Sequence, residues 1–143
     1  MGFIDIHCHI LPGMDDGPAD IKGSLEMAGI AIGDGISHIF ATPHIIDGLF
    51  DNKTREIAAA IDTLKRHIPA SITLLCGADA RVTHDMINRV ERGDIPTLSG
   101  SRYLLMEFPQ YVLPPHMDNL IFNLRQRKII HVITHPERHM PLM

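Results

Sequence analysis

The chain has 143 residues and 45% hydrophobic content, enough for one domain with a real core. A net charge of −4, with only 13 Lys plus Arg spread along the chain, argues against nucleic acid and acidic membranes as partners. No apolar run approaches the roughly 20 residues of a membrane helix. The N-terminus lacks a basic segment leading into an apolar one, and two isolated cysteines make no disulfide framework. A cytoplasmic protein without membrane insertion is expected.

The first expected element is a strand over residues 3–10. The two-residue period of a strand points His7 and His9 to one side and Cys8 to the other. The two imidazoles can therefore share a metal, while Cys8 packs against a helix. After Pro18, Ile21, Leu25, Ala28 and Ile32 recur at helical spacing, and Gly33 to Gly35 supplies the stop. A β-branched run at 38–41 reads as the second strand. Ile57, Ile61, Leu64 and Ile68 mark the next helix, closed by Pro69, and 72–76 is a third strand. A short helix over 85–92 and a strand over 103–108 follow. Met117, Leu120, Ile121 and Leu124 then line a helix ending in a basic turn, which suits the negative end of its dipole, and 129–134 is the fifth strand. The alternation βαβαβαβαβ predicts an α/β fold with a parallel sheet and outer helices, in a single domain spanning residues 1–143.

Every expected strand runs into metal- or phosphate-type residues. The first leads to His7, His9, Asp15 and Asp16, the second to Thr42-Pro43-His44, and the third to Gly77-Ala78-Asp79. The fourth ends in Glu107 and the fifth in Thr134-His135-Pro136-Glu137-Arg138. In a β/α barrel such strand ends share one face and carry the chemistry. Ordinary readings stand beside these. His-x-His can be structural, Asp15-Asp16-Gly17 can be a turn and helix entry, Asp79 a strand-end turn, and Arg138 a solvated arginine. Glu107 is more telling, because a buried, unpaired carboxylate is costly and implies a metal or cationic partner. His38, His67, His84, His116 and His131 are assigned to surface or structural roles. Mixed imidazoles and carboxylates suit Mn, Fe or Zn, and several carboxylates suggest more than one ion. Two-metal clusters of this kind activate water and clamp phosphoryl oxygens. An arginine at 138 can grip a phosphate in bidentate fashion.

The ordered series IDIHCHILPGMDDG, ATPHIIDGLFDN, GADARVT, GSRYLLMEFP and THPER resembles the bacterial manganese-dependent protein-tyrosine phosphatases of capsule and exopolysaccharide loci. These belong to the polymerase and histidinol phosphatase (PHP) superfamily. The resemblance implies a distorted β/α barrel with a multinuclear site for divalent cations, Mn above all. It places His7, His9, Asp16, His44, Glu107 and His135 among the metal ligands and Arg138 on the phosphate. Asp79 stands where the family carries glutamate, one methylene longer. Family members run on for roughly another hundred residues, as the 200 or more of a full barrel requires. That extra length includes two strands and a late Ser-Asp-x-His-type element.

The chain is therefore expected to form the N-terminal portion of a single PHP-type domain. This is an incomplete barrel of about five βα units, whose open side can be covered by self-association. The implied activity is metal-dependent hydrolysis of protein phosphotyrosine in polysaccharide synthesis, with an autophosphorylating tyrosine kinase as the partner. GLFDN and LMEFP favour this branch over a small-molecule, histidinol-phosphate-like phosphatase. A non-catalytic metal- or partner-binding remnant is the reading from another class. Neither cysteine is followed by an arginine six residues on, so cysteine-based chemistry is not expected.

Overall fold

In the computed structural model, which describes residues 2–109 and 111–139, the strands assemble into two parallel sheets. β1 (Phe3–Cys8), β2 (Ile36–Ala41) and β4 (Thr73–Cys76) form the first, in the order β1-β2-β4. β3 (His44–Ile45), β5 (Asp79–Arg81), β6 (Tyr103–Glu107) and β7 (Ile130–Ile133) form the second, in the order β3-β5-β6-β7. The helices are α1 (Ile21–Gly33), α2 (Thr54–Lys65), α3 (Met86–Glu91) and α4 (Met117–Gln126).

The parallel architecture agrees with expectation, but the single sheet does not. Two expected strand ends prove to be strands of their own, because the chain steps sideways after β2 and again after β4. Pro43 has no N–H to continue a ladder. At Gly77 a Cβ would lie 2.8 Å from the Leu98 side chain and 3.0 Å from that of Thr42, so the second step needs a residue without one. The steps bond to each other and to the first strand. Thr42 N–H donates to Cys8 O at 2.9 Å, Gly77 N–H to Ala41 O at 3.1 Å, and Asp79 N–H to Pro43 O at 3.1 Å. The chain thus passes from one sheet to the other with its hydrogen bonding nearly continuous, which curves the assembly in the manner of a partial barrel.

The helices pack outside as predicted. α1 is capped by Asp20, whose side chain accepts from Gly23 N–H at 2.9 Å. Its buried stripe is Ser24, Ala28 and Ala31, not the expected Ile21-Leu25-Ala28-Ile32 face, and Ile32 is exposed. The small residues let the helix lie close on β2, turning the bulkier aliphatics outward. In α2, Ile57, Ile61 and Leu64 are buried as expected, with Glu56 reaching back to Lys53 N–H. Leu124 anchors α4. The core lies between helices and sheets, around Ile39, Leu74, Leu104 and Met106. Among the described residues β1 ends the first sheet and β7 the second, and Phe3, Ile4 and Ile6 of β1 are exposed. No described helix is long and apolar enough to cross a membrane.

Candidate metal centre

The C-terminal ends of β1, β6 and β7, with the first residues of β3 and β5 just past the ends of β2 and β4, bring most of the expected ligands to one place. His7 Nε2 faces His9 Nε2 at 3.1 Å and lies 3.4 Å from Asp79 Oδ2. His44 Nδ1 lies 3.5 Å from the same Asp79 oxygen and 3.6 Å from Glu107 Oε2. Asp16, largely exposed, sits 3.7 Å from His44 Nε2 and 3.8 Å from His9 Nδ1. These atoms fall into three overlapping groups with ligand-like spacing: His7, His9 and Asp79; His44, Asp79 and Glu107; and His9, Asp16 and His44.

Imidazole chemistry sorts the overlap, since a neutral ring has one lone pair to give. His9 Nδ1 is only 2.6 Å from Asp15 Oδ2, so it carries the proton and donates it there. The free lone pair of His9 is therefore on Nε2, facing His7 and Asp79. Asp15 is fixed in turn, accepting from Gly17 N–H and His44 N–H at 2.9 Å each. Burial pushes the Asp15 carboxyl up, but its bonds from His9, Gly17 and His44 outweigh that and hold it below the ordinary carboxylate range. Burial likewise pushes His9 down, yet the Asp15 hydrogen bond and the Asp15, Asp79 and Asp16 charges hold it above its usual value.

Asp79 is the junction. It is fully buried, and its Oδ1 accepts from Thr134 Oγ1 at 2.7 Å. Its Oδ2 and His44 Nδ1 are buried with no hydrogen-bond partner. Buried polar atoms left without partners are costly, and here they face each other among further imidazoles and a carboxylate. This donor set fits divalent cations, with Asp79 Oδ2 common to two positions. Burial pushes the Asp79 carboxyl up, but the nearby His7 imidazole, the Thr134 hydrogen bond and the His44 charge hold it below its ordinary range.

The remaining expected residues lie at the edge. The His135 ring packs beside His7 at 4.9 Å between centroids, but its Nδ1 is engaged with Glu137 at 3.1 Å and it joins none of the three groups. His135 has a left-handed backbone, φ 45°, which opens the 3-10 turn Pro136–Arg138. Arg138 is mostly exposed and borders a cavity of about 280 Å³ that also touches Arg81, Glu107, His135 and His139. Glu107 has a cationic partner of the kind a carboxylate in an apolar strand implies: Arg81 Nε and Nη2 each approach its Oε2 at 3.0 Å. Burial, with Asp5 adding to it, pushes the Cys8 thiol up to about 12, and burial raises Cys76 as well, so both remain protonated.

A family described as "Capsular polysaccharide synthesis, CpsB/CapC" matches residues 3–143. The chain belongs to the CpsB/CapC family. It is 40% identical over 139 residues to the tyrosine-protein phosphatase YwqE of Bacillus subtilis (strain 168), a match covering 95% of this chain and 55% of YwqE. It is 30% identical over 139 residues to the tyrosine-protein phosphatase CpsB of Streptococcus pneumoniae, covering 95% of this chain and 57% of that one. A crystal structure from work on YwqE and CpsB, described as unique metal-dependent tyrosine phosphatases, superposes with a TM-score of 0.91 at 36% identity. That match covers 98% of this chain and 58% of the other. The chain thus spans about half the length of the curated relatives it matches.

The roles of three residues of this CpsB/CapC chain escape a sequence reading of the site. Asp15 looks like Asp16's twin until its side chain is seen buried under His9. Arg81 is two residues after Asp79, and strand alternation alone would place both on one face, but a three-residue strand gives too short a pattern to notice. Asn52 donates to Met14 O at 2.7 Å and to His44 O at 2.8 Å, tying the first and second ligand loops together.

Proposed function

We propose that the chain carries the metal-binding part of a phosphotyrosine phosphatase, hydrolysing phosphotyrosyl protein in capsular or exopolysaccharide synthesis. Its protein partner on this reading is an autophosphorylating tyrosine kinase, and Mn(II) is the proposed ion, with Fe or Zn as chemically compatible substitutes. The observation that carries the reading is the orphaned pair Asp79 Oδ2 and His44 Nδ1 at the junction of two ligand groups, beside a cavity bordered by Arg138. Kinship with enzymes named as tyrosine phosphatases supplies the substrate class.

His7, His9 and Asp79 would hold one cation and His44, Asp79 and Glu107 a second, with Asp16 and His135 at the margins. Divalent ions so placed make water a usable nucleophile at neutral pH and offset charge on phosphoryl oxygens. Asp15 keeps the proton on His9 Nδ1 so that Nε2 stays available, and Thr134 holds Asp79 so that Oδ2 faces the ligand groups. Arg138 takes the phosphoryl oxygens. Water attacks phosphorus and the bond to the aryl oxygen breaks, releasing phenol and inorganic phosphate. Phenol, with a pKa of about 10, leaves without a strong general acid. The protonated thiols of Cys8 and Cys76 take no part.

Hydrolysis of p-nitrophenyl phosphate tests the reading. Turnover should vanish with a chelator, return with Mn(II), and be lost in His7→Ala. Hydrolysis by His7→Ala at wild-type rate and metal content would overturn it.

A further inference from the structure

The Arg138 guanidinium is poorly placed to hold a phosphoryl group by itself. It sits on a short 3-10 turn, mostly in solvent, with only a loose contact to Glu137 at 3.9 Å. Another part of the same cavity's lining is built differently. Arg81 projects from β5, a strand paired on both sides, and its side chain is only one-third exposed. The period of the strand puts it on the face that carries Asp79. Its Nε and Nη2 both approach one oxygen, Glu107 Oε2, at 3.0 Å. The rest of its five-donor fork has no hydrogen-bond partner among the described residues.

That same Oε2 lies 3.6 Å from His44 Nδ1 and belongs to the His44-Asp79-Glu107 group. A cation held by that group would therefore compete with the guanidinium for a single oxygen. An arginine whose carboxylate is drawn away, beside a second arginine and in a cavity near the small end of ligand pockets of about 300–1,000 Å³, needs a compensating anion. Phe108 and the buried His139 also line this cavity, with their rings edge to face at 5.3 Å between centroids.

The geometry points to Arg81 as a second phosphate-holding arginine, gripping the phosphoryl group together with Arg138 once Glu107 is committed to metal. This rests on the phosphatase reading above and deepens it: the two guanidiniums form a clamp, one on a strand paired on both sides and one on an exposed 3-10 turn. A cross-strand Arg–Glu pair that only supports Glu107 is the competing account, and the two predict different binding behaviour.

The test is calorimetric titration of inorganic phosphate into Mn(II)-loaded protein, with manganese per chain measured on the same samples. Arg81→Gln should keep the wild-type manganese content and bind phosphate about tenfold or more weakly, the weight of a charge-assisted hydrogen bond. Arg138→Gln should show a comparable loss, and Arg81→Lys, with charge but no fork, should fall between Arg81→Gln and wild type. Wild-type phosphate affinity in Arg81→Gln beside weakened binding in Arg138→Gln would overturn the role of Arg81 alone. Loss of manganese together with phosphate in Arg81→Gln would also overturn it, since Arg81 would then serve only Glu107. Metal-loaded wild-type protein that binds no phosphate would bring down the phosphatase reading, and this inference with it.

Discussion

Asp15→Asn is the substitution whose consequence follows most fully from the geometry. The carboxylate is buried and accepts three hydrogen bonds: Oδ2 from His9 Nδ1 and His44 N–H, Oδ1 from Gly17 N–H. An amide has the same shape but must turn its NH2 one way or the other. With NH2 toward Gly17, a donor faces a donor and that bond is lost. With NH2 toward His9, the ring can be satisfied only by moving its proton to Nε2, which consumes the lone pair facing His7 and Asp79. Either outcome replaces a charge-assisted bond, worth about 1.5–3 kcal/mol, with a weaker or absent one. Partners that orient a ligating histidine typically cost about 10- to 100-fold in metal affinity when removed, which at about 1.4 kcal/mol per tenfold is the same size. Equilibrium dialysis of Mn(II) against chelator-stripped protein should show a loss in that range for Asp15→Asn. Binding within twofold of wild type would refute the orienting role and leave the proton on His9 unexplained.

Three other outcomes follow from the same packing. Gly17→Ala should cost about 1–3 kcal/mol in urea unfolding, because its Cβ would meet the His9 carbonyl oxygen at 2.3 Å, a backbone atom that cannot swing aside; an unchanged midpoint would show that the loop is looser than it looks. Thr134→Val should leave Asp79 Oδ1 unbonded and destabilise the metal-free protein by about 1–3 kcal/mol at neutral pH, and a loss under half a kcal/mol would contradict this. A pH effect goes with it. The folded Asp79 carboxyl is held below its unfolded value of about 3.9, so its stabilisation is present above that pH and is lost as pH falls through the folded value. Metal-free Thr134→Val should therefore show a shallower acid limb than wild type, and parallel acid limbs would argue against the Thr134 bond.

Much of the site is legible in the chain because its ligands obey strand geometry. His7 and His9 share a face through simple alternation, and Glu107 stands out as a carboxylate in an otherwise apolar strand. The long, periodic helices were equally plain. What the sequence hides is short or contingent on contact. β3 has two residues and β5 three, too few for a pattern, so these two strands of the second sheet read as loop. The face of α1 is set by how closely Ser24, Ala28 and Ala31 let it approach β2, not by where its largest aliphatics fall. Asp15 and Asp16 are chemically alike, and only the fold buries one under His9 and leaves the other open. Glu107's partner Arg81 is 26 residues away in the chain and becomes visible only through the β5–β6 register, which sets Arg81 against Glu107.

On the proposed reading the Asp79 oxygen common to two ligand groups is the centre of the site, because it would couple two cation positions to one phosphoryl group. Release of inorganic phosphate from a phosphotyrosyl peptide, followed as chelator-stripped protein is titrated with Mn(II), tests it most directly. Turnover should stay near zero up to one equivalent per chain and rise as a second is bound. Turnover complete at one equivalent, or none with two bound, would contradict it.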